Sequence, residues 1–196
     1  MLLPSLSFAV EAPLTDDAYI SSSGSPTANY GKKTILSVDG VGGQAPLKTS
    51  FLKFDLSTLP AGVTGADVEK ATLKLFAPKL ITPGLFDVME VKSDWNEASI
   101  TETTAPTVSG VVATGVPVSK SMAFVTVDLT NLVMAWIDGT TPNYGIAIVP
   151  SATLGINVNF DSKESTTTSH PASLEIGLTE APGQQGPPGP SGPSGP

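Results

Sequence analysis

The sequence predicts an all-β fold, two antiparallel sheets packed as a sandwich with one short helix, and three observations carry that prediction. Its apolar runs are short, alternate with polar residues and are rich in Val, Ile, Thr and Leu. Clusters of Gly, Pro, Asn and Ser separate them, in a chain of 196 residues with 19 Gly and 18 Pro. Hydrophobic residues make up 40 %, enough for a core, while charged residues are only 14 %.

Strands are expected at 17–22, 34–39, 50–56, 69–77, 85–92, 108–118, 124–129, 145–149, 155–161 and 172–178. In the third, Leu52, Phe54 and Leu56 share a face turned to the core, and Phe51, Lys53 and Asp55 face out or toward a second layer. Ile156, Val158 and Phe160 alternate with Asn157, Asn159 and Asp161, and Leu174, Ile176 and Leu178 alternate with Ser173, Glu175 and Gly177. One segment breaks the period of two. Leu129, Leu132, Val133, Trp136 and Ile137 recur at three- and four-residue spacing, an amphipathic helix near 130–138 with Thr130 as N-cap and Gly139 as its stop. Trp136 then anchors the core at one open end of the sandwich.

The two ends differ from this domain, which is assigned to residues 10–180. Residues 1–9, MLLPSLSFA, are apolar and end in a small-x-small pattern, so they read as the remnant of a secretion signal; the alternative is an N-terminal strand that packs on the domain. From 181 to 196 the chain enters a different regime. Gly183, Gly186, Gly189, Gly192 and Gly195 fall on every third position with Pro between them, which is the collagen pattern: only Gly fits where three polyproline-like chains meet. The expectation is that the natural chain continues this run and that the domain heads a trimeric stalk. A Pro/Gly linker is the competing reading.

Composition excludes several functions. All ten basic residues are Lys against 18 acidic ones, a net charge of −8, which argues against nucleic acid as partner. Cys is absent, and His170 is the single His, removing thiolate sites, His-rich zinc sites and most His-dependent catalysis. His170 lies among so many Ser and Thr that their proximity says nothing about a Ser–His–acid device. No enzyme activity is expected. No stretch reaches the roughly 18 continuous apolar residues of a membrane span, and a secreted or cell-surface protein, bacterial in type, fits the whole.

An ordered set of motifs adds a family to this. Asn29-Tyr30-Gly31, SFLKFDLSTLP, EKATLKLF, SDWNEASIT, VDLTNLVMAWIDGTTPNYGIAI, VNFDSKE and PASLEI follow one another across residues 15–178. In this the chain resembles the DNRLRE domain family, secreted β-sandwiches of jelly-roll type, some classed as carbohydrate-binding modules on polysaccharide-degrading enzymes. It departs from the family after SDWNEASIT, where Glu102-Thr103-Thr104-Ala105-Pro106 replaces a second Trp and a run of Asn. The resemblance implies no cofactor requirement, but jelly-roll modules often hold a structural Ca²⁺ near their chain ends. Asp16 and Asp17 in the first strand and Asp161 and Glu164 in FDSKE are the candidate ligands; plain surface carboxylates are the competing reading. Asp94 and Glu97 flank Trp95 in a turn, where Glu97 is expected to accept backbone N–H bonds and Trp95 to fill the core edge. Tyr30 and Tyr144, each in an Asn-Tyr-Gly turn, are either edge-covering tyrosines or sugar-stacking rings.

Two functions follow. One is a non-catalytic structural or adhesive head on a collagen-like stalk, a trimer through the tail or a fibre built by β-augmentation through residues 10–14. The other is a carbohydrate-binding module for cell-surface or matrix polysaccharide. An exposed aromatic strip favours the second; a free N-terminal strand favours the first.

Overall fold

A computed structural model describes residues 7–179. The collagen-like residues, Gly183 to Gly195, and the first six residues lie outside the described ones. Twelve strands are described: β1 Ser7–Ala12, β2 Leu14–Ser21, β3 Ile35–Gly40, β4 Lys48–Phe54, β5 Val68–Ala77 and β6 Lys79–Thr82 form the first half. Then come β7 Gly84–Val91, β8 Val108–Val118, β9 Ala123–Asp128, the helix α1 Thr130–Ile137, β10 Ile146–Pro150, β11 Ile156–Asp161 and β12 Ser173–Thr179. They make two antiparallel sheets. The smaller runs β1-β12-β5-β9, the larger β6-β11-β3-β4-β10-β7-β8, with β2 paired to β4. The all-β two-sheet sandwich with a single short helix is what the alternation in the sequence dictates. Among the described residues no helix is long and apolar enough to cross a membrane.

Period-two patterning fills the space between the sheets. Leu73, Leu75 and Ala77 of β5 and Leu174, Ile176 and Leu178 of β12 face Leu52, Phe54, Phe86, Val88, Ile146, Ile148, Val158 and Phe160, all buried. The opposite face of the larger sheet is covered as well. Ala18, Ile20, Phe51, Val91 and Ala147 form a second cluster with Trp95 and Ile100, so Phe51 points into a second layer and Trp95 closes it. Lys53 reinforces that lid, its ammonium 5.1 Å from the Trp95 ring and bonded to the Trp95 carbonyl at 2.6 Å.

Several local expectations are corrected. Thr130 is not the N-cap. Leu129 occupies the cap position, while the Asp128 carboxylate accepts the Thr130 N–H at 2.9 Å and hydroxyl at 2.6 Å. An acid two residues upstream thus satisfies the free amide, and the Thr130 hydroxyl oxygen turns to accept the Ala71 N–H at 3.0 Å. Gly139 does end the helix, at φ +66°. β6 is a strand that alternation does not predict, a short exposed edge strand between Pro78 and Pro83 beside β11. In residues 7–9 the alternative to a secretion signal, an N-terminal strand that packs on the domain, is what forms: they join 10–12 in pairing with β12, Phe8 opposite Leu178 and Val10 opposite Ile176. Residues 10–12 are therefore used within their own chain, and Leu14 pairs with Phe54; donating this segment to a neighbour would break both pairings.

Candidate functional site

The two Asn-Tyr-Gly turns are built alike. The Asn29 amide donates to the carbonyls of Glu97 (2.8 Å) and Ile100 (2.7 Å), and that of Asn143 to the carbonyl of Phe54 (2.9 Å). Each Asn side-chain oxygen accepts the N–H of the Gly two residues on. Gly145 is needed for its φ of +85°; Gly31 has no such angle and is needed because the Glu97 carbonyl leaves no room for a Cβ. Tyr30 lies with one face against Tyr19, centroids 4.5 Å apart and planes 17° from parallel. Tyr144 is half-buried against the Trp95 cluster, and its carbonyl accepts the Trp95 indole N–H at 2.9 Å. Both rings are thus partly committed to packing.

The four carboxylates named for calcium do not converge. Asp16 accepts the Glu97 N–H at 3.2 Å. Asp161 is buried beneath the loop that follows it, accepting from Ser165 (3.2 Å), Thr168 (2.7 and 2.6 Å) and the His170 N–H (3.1 Å). Both of its oxygens are engaged within that loop, and it is not among the acids that meet. Asp17 and Glu164 do meet, and the third member of their group is Glu97, with one carboxylate oxygen of each within 4.8 Å of the others. Glu97 does not serve its own turn as expected: it accepts the Asp17 N–H at 3.1 Å across the fold and holds the Lys163 ammonium. Burial pushes the Asp17 carboxyl up to about 7, and the Glu164 charge adds to this; the Lys163 N–H bonded to it at 2.8 Å and the ammonium pull the other way. The Lys163 ammonium is raised well above the usual lysine range by its carboxylate partners, which outweigh its own burial.

A second feature lies on the outer face of the smaller sheet. Outward positions of a two-layer sandwich are ordinarily polar, and here Thr72, Lys74, Glu175 and Thr126 follow that rule, Lys74 pairing with Glu175 across strands. At one end the rule fails. Phe76 and Phe124, directly opposite in β5 and β9, pack outward against each other with centroids 5.0 Å apart and planes tilted by 59°. His170 packs on Phe76 at 4.4 Å and stands edge-on to Phe124 at 5.5 Å. Phe76 is only 6 % exposed because the other two rings cover it, whereas Phe124 is 57 % exposed and Met122 beside it 64 %. An exposed aromatic at the end of a polar sheet face is an apolar shelf with hydrogen-bonding neighbours. The His170 imidazole lies 3.9 Å from the Asp161 carboxylate, and among the described residues it bonds to no hydroxyl, so no Ser–His–acid device is assembled.

From Phe124 the same strand leads into a groove of about 850 Å³ where the edges of the two sheets meet. Val112, Val116, Val127 and Leu132 form apolar parts of its lining; Lys70, Thr126, Asp128 and Asn131 bring polar groups. Gly110 and Gly115, at φ +79° and +66°, let β8 bulge along this side, and Asp87 holds the bulge by accepting the Gly115 N–H at 2.7 Å. Phe124 to Asp128 spans about 13 Å at the rise of an extended strand.

Sequence reasoning missed both shelf and groove. The signal was parity: once Leu73 and Leu75 face the core, Phe76 must face out, and Phe124 opposite Phe76 must do the same.

The profile of carbohydrate-binding module family 96 matches residues 9–176. A gellan lyase from Bacillus sp is 28 % identical over 172 residues, which is 85 % of this chain and 7 % of the relative. The chain therefore spans a small part of that protein.

Proposed function

The chain belongs to carbohydrate-binding module family 96, and from that premise we propose that it is a non-catalytic polysaccharide-binding module, secreted or displayed at a cell surface. The observation that carries the choice of site is the outward cluster of Phe124, Phe76 and His170. The C–H face of a sugar ring packs on an exposed aromatic, and hydroxyls then reach polar groups nearby. Thr126, Asp128, Lys70 and Asn131 supply those groups along the groove. Tyr30, with one face already covered by Tyr19, offers less free ring. The gellan lyase relative makes gellan the first ligand to try.

The test is affinity electrophoresis and calorimetry on gellan and on a neutral glucan. Phe124→Ala should weaken binding by about tenfold, the equivalent of one stacked aromatic contact at about 1.4 kcal/mol, with little change in melting temperature. Unchanged binding in Phe124→Ala together with loss in Tyr30→Ala or Tyr144→Ala would move the site to the Asn-Tyr-Gly turns. Measurable bond cleavage by the purified chain would refute the non-catalytic reading.

A second reading rests on Gly183, Gly186, Gly189, Gly192 and Gly195. It makes the module a head presented in three copies on a collagen-like stalk, as a structural or adhesive protein. The two readings are compatible, because trimeric display multiplies weak sugar contacts into avidity gains of about 10²–10⁴. A natural full-length protein that sediments as a monomer in the cold would remove the stalk.

A further inference from the structure

Asp17 on β2 is the most deeply buried acid among the described residues, 1 % exposed, and its two oxygens differ. Oδ2 accepts the Lys163 backbone N–H at 2.8 Å, whereas Oδ1 has no hydrogen-bond partner among the described residues. The Lys163 side chain curls back onto the same carboxyl and brings Nζ to 3.7 Å from Oδ1. Glu97, in the segment between β7 and β8, completes the group. Its Oε2 contacts Nζ and also accepts the Asp17 N–H at 3.1 Å, so one oxygen bridges the lysine and the aspartate.

These are the parts that condensation of an amine with a carboxylic acid needs. The lysine supplies the nucleophile, Asp17 Cγ is the electrophile, and a carboxylate touching Nζ moves the protons. The N–H on Oδ2 is placed to stabilise the negative charge that develops on that oxygen when Cγ is attacked. Burial favours the protonated Asp17 carboxyl, and a neutral acid is open to attack where a carboxylate is not. Oδ1, a buried oxygen left unpaired at a cost to the fold, is the atom that such a reaction removes.

We propose that Lys163 Nζ and Asp17 Cγ join in an intramolecular amide cross-link, with Glu97 carrying the protons. Glu97 takes one proton from the ammonium, and the freed lone pair forms the N–C bond while the C=O pair moves onto Oδ2. The proton on Glu97 passes to the Oδ1 hydroxyl, the Cγ–Oδ1 bond breaks, water leaves and the Oδ2 carbonyl re-forms. Glu97 then takes the surplus proton from the nitrogen. One carboxylic acid, one ammonium and the Glu97 carboxylate become one amide, one water and a protonated Glu97, so atoms and charge balance without oxidant or cofactor. Its carboxylate partners hold Lys163 charged at rest, which slows the step. It occurs once per molecule, however, between groups already in place, and well-oriented intramolecular reactions reach effective molarities of about 10⁵–10⁸ M. The bond ties β2 to the loop after β11 across 146 residues, in a chain with no Cys for a disulfide. It stands independently of sugar binding.

Intact mass spectrometry of the full chain, incubated folded and then denatured, tests it. The chain should be lighter than its sequence by one water, and proteolysis should give a branched peptide containing Asp17 and Lys163, uncut after Lys163. Lys163→Met and Asp17→Ala should keep the full mass. Asp17→Asn should lose ammonia instead of water, a difference that an ion pair does not produce. Glu97→Gln should accumulate the linked form about 10²-fold more slowly, whereas Glu164→Gln should still form it. The wild-type mass decides the matter even where a variant fails to fold. Full sequence mass after prolonged incubation would overturn the cross-link and leave Lys163 in an ion pair alone. A missing water mapped to Asp39-Gly40 or Asp138-Gly139, where an aspartate can cyclise onto the next amide, would overturn it equally. Linkage at the wild-type rate in Glu97→Gln would overturn the assignment of Glu97 as proton carrier.

Discussion

Trp136→Ala tests whether the helix is an anchor of the core. Trp136 is 6 % exposed and packs in the main cluster from the last turn of α1. Leu56, Leu59, Pro60, Val63 and Ile137 line a cleft of about 300 Å³ with it, so the surroundings are already hollow on one side and cannot collapse fully onto a smaller residue. Burying an indole removes about 200 Å² from water, worth about 5 kcal/mol at 25 cal/mol/Å². Large-to-small aromatic substitutions in cores cost about 3–5 kcal/mol, which is the loss expected here. At about 2–4 °C per kcal/mol for a domain of this size, the melting temperature should fall by about 6–20 °C. Trp136→Phe makes the test sharper. The indole N–H of Trp136 is buried without an acceptor among the described residues, a burden of about 1–3 kcal/mol that Phe removes while retaining much of the ring. The net change for Phe should therefore stay within about 1 kcal/mol. Urea unfolding followed by far-UV circular dichroism gives both values. A loss below about 1 kcal/mol in Trp136→Ala would show that the helix does not anchor the core. A Phe variant as damaged as the Ala variant would show that the N–H is satisfied after all.

Two further substitutions probe the local structure. Gly145→Ala should cost at least about 2 kcal/mol, or prevent folding, because a Cβ there meets the Leu52 carbonyl and φ is +85°; Gly43→Ala, at φ +77° in open space, should cost about 1 kcal/mol, and equal losses would show that the close approach is unimportant. Asp128→Ala should remove about 1 kcal/mol through the lost helix-start bonds, measured by urea unfolding at neutral pH. Its bonds to the Thr130 hydroxyl and N–H hold the Asp128 carboxyl below the usual range. A depressed acid stabilises the fold above its unfolded pKa and loses that contribution as pH falls through its folded pKa. The gap between wild type and variant should therefore close on acidification, and a gap independent of pH would refute the assignment.

The sandwich was legible because burial imposes a period of two, and strands such as Ile156–Asp161 and Ser173–Thr179 carry it without interruption. The helix was legible for the same kind of reason, since Leu132, Val133 and Trp136 obey a period of 3.6. Features set by tertiary partners were less so. Thr130 has the residue type of an N-cap, yet its N–H and hydroxyl hydrogen go to Asp128 and its oxygen accepts from Ala71, so it caps no amide of the helix. Nothing local in Glu97 says that its carboxylate will reach Asp17, 80 residues away. Asp161 is a calcium candidate by residue type, whereas the hydroxyls of Ser165 and Thr168 and the His170 N–H hold both its oxygens within its own loop. A sequence shows which acids exist; chain return decides which of them share a volume.

One loop connects the aromatic shelf to the ion cluster. Lys163 and Glu164 stand at its start and His170 near its end, and between them Asp161 gathers Ser165, Thr168 and the His170 N–H. Ser169, immediately before His170, sits at φ +55°, an unfavourable angle for a residue with a Cβ. It is held there by its own hydroxyl on the Ser165 carbonyl and by the next residue's bond to Asp161. That strained step sets the imidazole against Phe76. Asp161→Asn should loosen that hold and let the imidazole leave Phe76, so that sugar affinity, measured by calorimetry, falls by more than the melting temperature alone would suggest; unchanged affinity in the variant would show that the loop does not shape the shelf.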